Sequence, residues 1–300
     1  MEELEVLEQE YIPLKEASFI IPLRIETEDR MRNIITTLVY LLRNFDTNII
    51  VKEFDSVSTF ERSVLPQIEQ VLTEDQLKNL VHIFEETNEY IFHRTRLLND
   101  MILMAKTPIV VNYDSDIILP KHVYRQAIDL ILNGYSNPEF PDAKPEPIKV
   151  VYPYGYGEYQ RQVFFDDEQA SNFINSNFNF LAFTNTRSWD AKFGFCQFFD
   201  REEYIRLGME NENFVSYGYE DDERYLRFNQ LSHVARIDDA VYHLEHKRTS
   251  NSWFNNPHIE ENRKLFEYLS RMSPDKILEH YTNQTYMANR GVIHGKKIGG

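Results

Sequence analysis

Cysteine is almost absent from this 300-residue chain: Cys196 stands alone. One thiol cannot build a disulfide framework, so stability has to come from an ordinary core, and a reducing compartment is the expected setting. Basic residues are also scarce, 32 Lys and Arg against 48 Asp and Glu, for a net charge of -16. That balance excludes general nucleic-acid binding, because repulsion from the phosphates would go uncompensated. A single nucleotide remains admissible as a ligand, since a metal ion and a few arginines can meet its charge locally. No apolar run approaches the length of a membrane span, and the start, Met1-Glu2-Glu3-Leu4-Glu5, is acidic, unlike a signal peptide. The expectation is a cytoplasmic, soluble protein with no membrane span, or a domain whose anchor lies outside this sequence.

What is present is the material of one large α/β domain: 42% hydrophobic and 27% charged residues are ordinary globular values. Residues 1–16 read as a helical lead-in. Ser18 to Arg24 reads as a buried strand, and Thr27 as an N-cap with Glu28 and Asp29 in the first turn. Met31, Ile34, Ile35, Leu38, Leu42 and Phe45 then recur at helical spacing. Strands are expected over 48–54 and 80–84, with one helix, started or interrupted by Pro66, over 58–79 and another over 95–105. Strands alternating with helices in this way imply βαβ units and a mostly parallel central sheet flanked by helices. After an irregular 133–149 the alternation loosens: strands at 150–156, 193–199 and 235–241, helices at 166–176, 201–207, 220–229 and 257–272. The chain divides into a lead-in (1–17), a first half (18–132) and a second half (133–300), with the halves sharing one sheet in a single domain.

The stretch that organises the rest is Pro108 to Pro120, where Ile109-Val110-Val111 leads into Asp114-Ser115-Asp116. A continuous apolar, β-branched run suits a strand buried on both faces. Ligands of open α/β sheets bind at the carboxyl ends of such strands, and two hard oxygen donors there suit Mg²⁺ or Mn²⁺ carrying a diphosphate. Taken alone the pattern also fits a calcium loop or a solvated turn.

Four further stretches complete a pattern: Ile21-Pro22-Leu23-Arg24, Phe92-His93-Arg94 before the Asp-Ser-Asp strand, Tyr217-Gly218-Tyr219-Glu220-Asp221-Asp222-Glu223, and His243-Leu244-Glu245-His246. In these residues and this order, over roughly 18–250, the chain resembles the GT-A-fold (Rossmann-like) glycosyltransferases. Closest are the beta-1,4-galactosyltransferase group and bacterial capsule-type glycosyltransferases. The resemblance implies a metal-dependent, inverting transferase that moves a hexose or N-acetylhexosamine from a UDP-sugar donor to a glycan hydroxyl acceptor. UDP-galactose or UDP-N-acetylgalactosamine is favoured, and Mn²⁺ is the implied cofactor, with Mg²⁺ also workable.

Carried over by position, Pro22 and Arg24 would hold the nucleotide, with Arg24 near the diphosphate, and Phe92 and Arg94 would pack on and hydrogen-bond it. Asp114 would lie near the ribose and donor sugar. Asp116 would be the direct metal ligand, joined by His246 and by His243, which stands where some members carry methionine. Glu220 would contact the donor sugar, Asp221 act as catalytic base, and Asp222 and Tyr217 face the acceptor. Asp55 is added only for its place at the end of the second strand. Tyr217 and Tyr219 replace the usual Trp and Gly, and Glu26 stands where a second arginine is common.

Plainer readings exist for each part. Glu220 to Glu223 would also serve as an acidic first turn satisfying a helix dipole. His243 and His246 lie three apart, so a continuing strand would point them to opposite faces, and joint ligation requires a turn. Arg96 reads as a solvated helix residue and Phe193 to Phe199 as core. Rival functions are a retaining transferase of the same fold and a non-catalytic sugar-nucleotide or metal-binding module. A sugar nucleotidyltransferase is disfavoured because no Gly-rich phosphate loop follows the first strand.

Overall fold

The computed structural model describes residues 11–249, 255–293 and 296–297. The elements run β1 (Ile12–Leu23), α1 (Glu28–Asn44), β2 (Phe45–Asp55), α2 (Leu65–Ile68), α3 (Glu74–Leu77), β3 (Leu80–Glu86), α4 (Arg94–Met104), β4 (Ile109–Tyr113), β5 (Ile117–Ile118) and α5 (Lys121–Asn133). The second half adds β6 (Val150–Tyr152), β7 (Gln160–Val163), α6 (Asp167–Asn175), β8 (Thr186–Ser188), β9 (Cys196–Asp200), α7 (Arg201–Arg206), α8 (Glu220–Leu231), β10 (Val234–Arg236) and β11 (Val241–Leu244). Helices α9 (Ile259–Leu269), α10 (Pro274–Thr282) and α11 (Thr285–Asn289) follow. Among the described residues no helix is long and apolar enough to cross a membrane.

Seven strands form the central sheet in the order β10-β6-β9-β4-β1-β2-β3. All neighbours run parallel except β9, which is antiparallel to both β4 and β6. Both halves therefore share one sheet. Its centre is dry: Phe19, Ile20 and Ile21 on β1 and Ile109, Val110 and Val111 on β4 are all 0% exposed. Each such side chain contributes roughly 1.5–3 kcal/mol by leaving water. Thr27 caps α1 by accepting from the Arg30 N–H, as its place before the helix predicts.

Four expectations change. The lead-in is not helical from residue 12, and residues 1–10 lie outside the described set. Ile12 and Pro13 instead pair with Phe45 and Asp46 on β2, with a register shift before Ser18, so cross-strand pairing decides the conformation. The helix expected over 58–79 is broken into a π-helical turn (Phe60–Val64), α2 and α3. Its start is fixed by Glu53, which accepts from the Thr59 and Phe60 N–H groups at 2.9 and 3.0 Å, and a separate capping box at Thr73 starts α3. The strand expected over 150–156 stops at Tyr152. The strand expected over 235–241 is two strands in different sheets, divided where Asp239 accepts from the Ala240 N–H at 2.6 Å. The second sheet, β5-β11-β7-β8, has no counterpart in the sequence reading.

Candidate active site

The site grows from the ends of β1 and β4. Where β4 finishes, the Asp114 N–H donates to the Phe195 carbonyl at 3.0 Å, tying the Asp-Ser-Asp turn to the residue before β9. Two residues on, the Asp116 carbonyl accepts from Leu244 N–H at 2.7 Å, and His243 pairs with Ile117 across the β11–β5 ladder. These backbone bonds bring the His-Leu-Glu-His stretch onto the turn. Since β11 ends at Leu244, the strand periodicity no longer separates His243 from His246, and both Nε2 atoms face Asp116. They lie 3.7 and 3.1 Å from its two carboxylate oxygens.

Asp116, His243 and His246 offer one ligand atom each, all within 4.8 Å of one another. Burial alone would raise the Asp116 pKa, but the two histidines outweigh it and hold this carboxyl well below the usual range. Burial likewise opposes the His243 imidazolium, and Asp116 with Glu245 overrides it to raise that pKa. Each Nδ1 faces an acceptor at 3.0 Å, Glu245 Oε1 for His243 and the Lys247 carbonyl for His246. In the neutral rings Nδ1 therefore carries the proton and Nε2 the lone pair. One carboxylate and two imidazole lone pairs converging on a point are a donor set that fits a divalent cation of the Mn²⁺ type.

The facing wall is cationic and acidic by turns. Arg94 donates to Asp114 Oδ1 at 2.6 Å and lies 3.7 Å from Asp221 Oδ1. Burial opposes its charge, but Asp114 and Asp221 outweigh it and push its pKa further up, so Arg94 stays a fixed cation. Arg224, 0% exposed, donates to both oxygens of Glu210 at 2.9 and 2.8 Å and to Asp221 Oδ1. Asp221 is thus gripped from behind, while its Oδ2 comes so near Gly194 that a Cβ there would sit 3.2 Å away.

The loop that delivers Asp221 is held from outside. Gly218 has φ +119, a backbone conformation that favours glycine, and a Cβ added to it would also meet the tip of Ile259, Cδ1, at 2.3 Å, which would have to swing aside. Asn262 of α9 donates to the carbonyls of Val215 and Gly218 at 3.0 and 3.1 Å and accepts from Val215 N–H at 3.1 Å. Asn256 donates to the Val215 and Tyr217 carbonyls at 3.0 and 2.7 Å. Glu220 turns back into this loop, its carboxylate accepting from Gly218 N–H at 2.6 Å. Burial first, and then the Asp221 charge, push the Glu220 pKa up to about 8.

One cleft is lined by Pro22, Arg24, Phe92, Arg94, Asp114, Asp116, Tyr217, Asp221, His243 and His246. Asp55, Glu220 and Asp222 lie outside its lining. Asp55 accepts from the adjacent Ser56 N–H at 2.7 Å, and Asp222 sits in the first turn of α8. Arg24 commits its donors to the carbonyls of Phe54, Tyr90 and Glu89 at 2.8, 2.9 and 3.0 Å, organising the 87–93 loop. Several cleft residues escaped the sequence reading: Arg30, Trp189 and Arg248 line it too. Arg30 was findable, one helical turn after Glu26 and 3.9 Å from it, supplying a cation near the place where the resemblance expects arginine. Arg248 packs over Trp189 at 4.9 Å, a pairing no local pattern announces.

No protein-family model and no curated protein matches the chain. Solved structures do. A mannosyltransferase from Pyrobaculum calidifontis, in complex with GDP-Man and Mn²⁺, is 15% identical over 88% of this chain and 68% of its own, with a TM-score of 0.50. The catalytic domain of Drosophila beta-1,4-galactosyltransferase 7, with xylobiose, is 14% identical over 84% of this chain and 79% of its own, at 0.43. Glucosyl-3-phosphoglycerate synthase from Mycobacterium tuberculosis, with Mg²⁺ and UDP, is 11% identical over 83% and 78%, at 0.46. The mannosyltransferase superposition identifies the architecture: this chain has the GT-A fold, a mixed, mostly parallel sheet flanked by helices in a single domain.

Proposed function

We propose that the chain is a metal-dependent, inverting glycosyltransferase that moves a hexose or N-acetylhexosamine from a UDP-sugar to a glycan hydroxyl. The observation that carries this reading is that the Asp116–His243–His246 cluster and Asp221 share one cleft at the carboxyl ends of β1 and β4. Asp116, His243 and His246 would hold the cation, Mn²⁺ by its donor set and Mg²⁺ less well. A bound divalent cation neutralises charge developing on the departing diphosphate.

The remaining work belongs to the chain's own residues. Asp221, oriented by Arg224, takes the proton of the acceptor hydroxyl as that oxygen attacks the anomeric carbon. The bond from that carbon to the diphosphate oxygen breaks with its electron pair, nucleoside diphosphate leaves, and the proton passes from Asp221 to solvent. Arg94 fixes Asp114, which is assigned to the ribose and donor sugar. Phe92 and Pro22 flank the nucleotide, and Arg24 shapes the loop beneath it. Tyr217 faces the acceptor, and Asp222, outside the cleft lining, is assigned to the acceptor by the motif resemblance alone. Preference for UDP-galactose or UDP-N-acetylgalactosamine follows the motif resemblance.

A donor screen with Mn²⁺ tests the proposal, measuring diphosphate release from UDP-galactose, UDP-N-acetylgalactosamine, UDP-glucose and GDP-mannose with and without simple sugars. Asp221→Asn keeps the shape and loses the base, so kcat should fall by about 10²–10⁴-fold with donor affinity nearly unchanged. Release from none of the donors sinks the proposal. Retention of anomeric configuration, read by NMR of fresh product, would remove the base role from Asp221.

A further inference from the structure

We infer that Glu245, clamped by Gln162, is a positioning residue for His243 that sets the strength and ion preference of the cation site. The inference rests on reading Asp116, His243 and His246 as that site. Its basis is a relay across the second sheet. Arg187 on β8, Gln162 on β7 and His243 on β11 occupy one rung, paired Gln162 with Arg187 and His243 with Gln162. Arg187 Nε donates to Gln162 Oε1, Gln162 Nε2 donates to Glu245 Oε1, and that oxygen faces His243 Nδ1 at 3.0 Å. Gln162 is itself 2% exposed, and its amide lies between exposed Arg187 and half-buried Glu245. Its carbonyl oxygen is taken by the arginine, which leaves only the NH₂ to face Glu245.

The consequence follows from imidazole chemistry. With Glu245 accepting from Nδ1, the lone pair of His243 sits on Nε2, the atom 3.7 Å from Asp116. A carboxylate behind the ring also makes Nε2 a stronger donor, as in carboxylate–histidine–metal arrangements. That gain favours ions with affinity for nitrogen and adds little for oxygen-seeking Mg²⁺. Among the described residues His246 has no such carboxylate behind it: its Nδ1 faces the Lys247 carbonyl at 3.0 Å. Of the two imidazoles, His243 is the one that the small sheet tunes. The short strands β5, β7, β8 and β11 thereby gain a purpose beyond covering the core.

Mn²⁺ binding to the full chain, followed by EPR of the free ion without nucleotide, tests this apart from turnover. Glu245→Ala should weaken Mn²⁺ by about 10–100-fold, and Glu245→Gln, which keeps an acceptor oxygen, by less. Mg²⁺, measured by competition, should weaken less than Mn²⁺ in both variants. In a His243→Ala background either change at Glu245 should then cost less than about twofold, because the ring it acts through is gone. An equal loss in both backgrounds means that Glu245 merely staples the sheet, and overturns the inference. So does wild-type affinity in Glu245→Ala when His243→Ala binds weakly. Wild-type affinity in both His243→Ala and Asp116→Ala overturns the cation site itself along with it. Glu245→Gln is near-isosteric and carries the test if the alanine variant does not fold.

Discussion

Asn262→Ala asks whether the loop that carries Tyr217 and Asp221 is held by α9. The Asn262 side chain is 1% exposed and makes three hydrogen bonds, all to backbone atoms of Val215 and Gly218. The Val215 carbonyl keeps a donor after the change, since Asn256 reaches it at 3.0 Å. Val215 N–H and the Gly218 carbonyl have no such substitute among the bonds to Asn256. The carbonyl of buried Gly218 and the N–H of half-buried Val215 lose these partners, at about 1–1.5 kcal/mol each, which predicts a loss of about 2–3 kcal/mol. For a domain of this size that lowers Tm by roughly 5 °C, at about 2 °C per kcal/mol. Circular dichroism melts and urea titrations read the loss directly. Because the cation cluster lies on other elements, Mn²⁺ affinity should stay within about twofold while kcat falls as Asp221 loses its fixed position. A Tm within 1 °C of wild type would refute the idea that these bonds hold the loop. Loss of Mn²⁺ affinity would refute the separation of the two walls.

Two further outcomes are expected. Asp116→Ala removes the one carboxylate of the cation cluster among the described residues, so Mn²⁺ binding by calorimetry should weaken by at least about 100-fold; unchanged affinity would place the ion elsewhere. Glu220 is protonated in the folded state up to about pH 8, against 4.5 for an ordinary glutamate. Its contribution to stability is therefore complete below about pH 4.5 and lost as pH rises toward 8. Glu220→Gln, neutral throughout, should be more stable than wild type by a few kcal/mol above pH 8 and lose that advantage toward pH 5. Denaturation curves showing a pH-independent difference would contradict the buried, proton-bearing carboxyl.

The parallel centre of the sheet was legible because it is written locally. Buried strands need unbroken apolar runs, and Phe19-Ile20-Ile21 and Ile109-Val110-Val111 satisfy that wherever they are placed. The polar residues that interrupt such runs, Arg24 and Asp114-Ser115-Asp116, stand out for the same reason, and they line the cleft. The broken 58–79 helix was not legible. Its helical composition is genuine, but the carboxylate that fixes its start, Glu53, lies on another element, and nothing near Phe60 announces a π-helical turn.

The second sheet shows the limit most clearly. β5 has two residues and β8 three, and the β8 residues are all exposed, so neither carries a hydrophobic period that could mark it. Yet this sheet brings His243 to Asp116 and places Glu245 and Gln162 behind the imidazole. Asn256 and Asn262 were silent for a related reason: a buried asparagine is recognisable only once its backbone partners are known. By itself the sequence determined which segments are buried, where they end and which chemically capable residues stand at those ends, since these depend on hydrophobicity and neighbours along the chain. Only the tertiary structure decided which of those ends meet, how two histidines three residues apart face one carboxylate, and which polar residues hold them there, because hydrogen bonds and ladder register join residues with no relation in sequence.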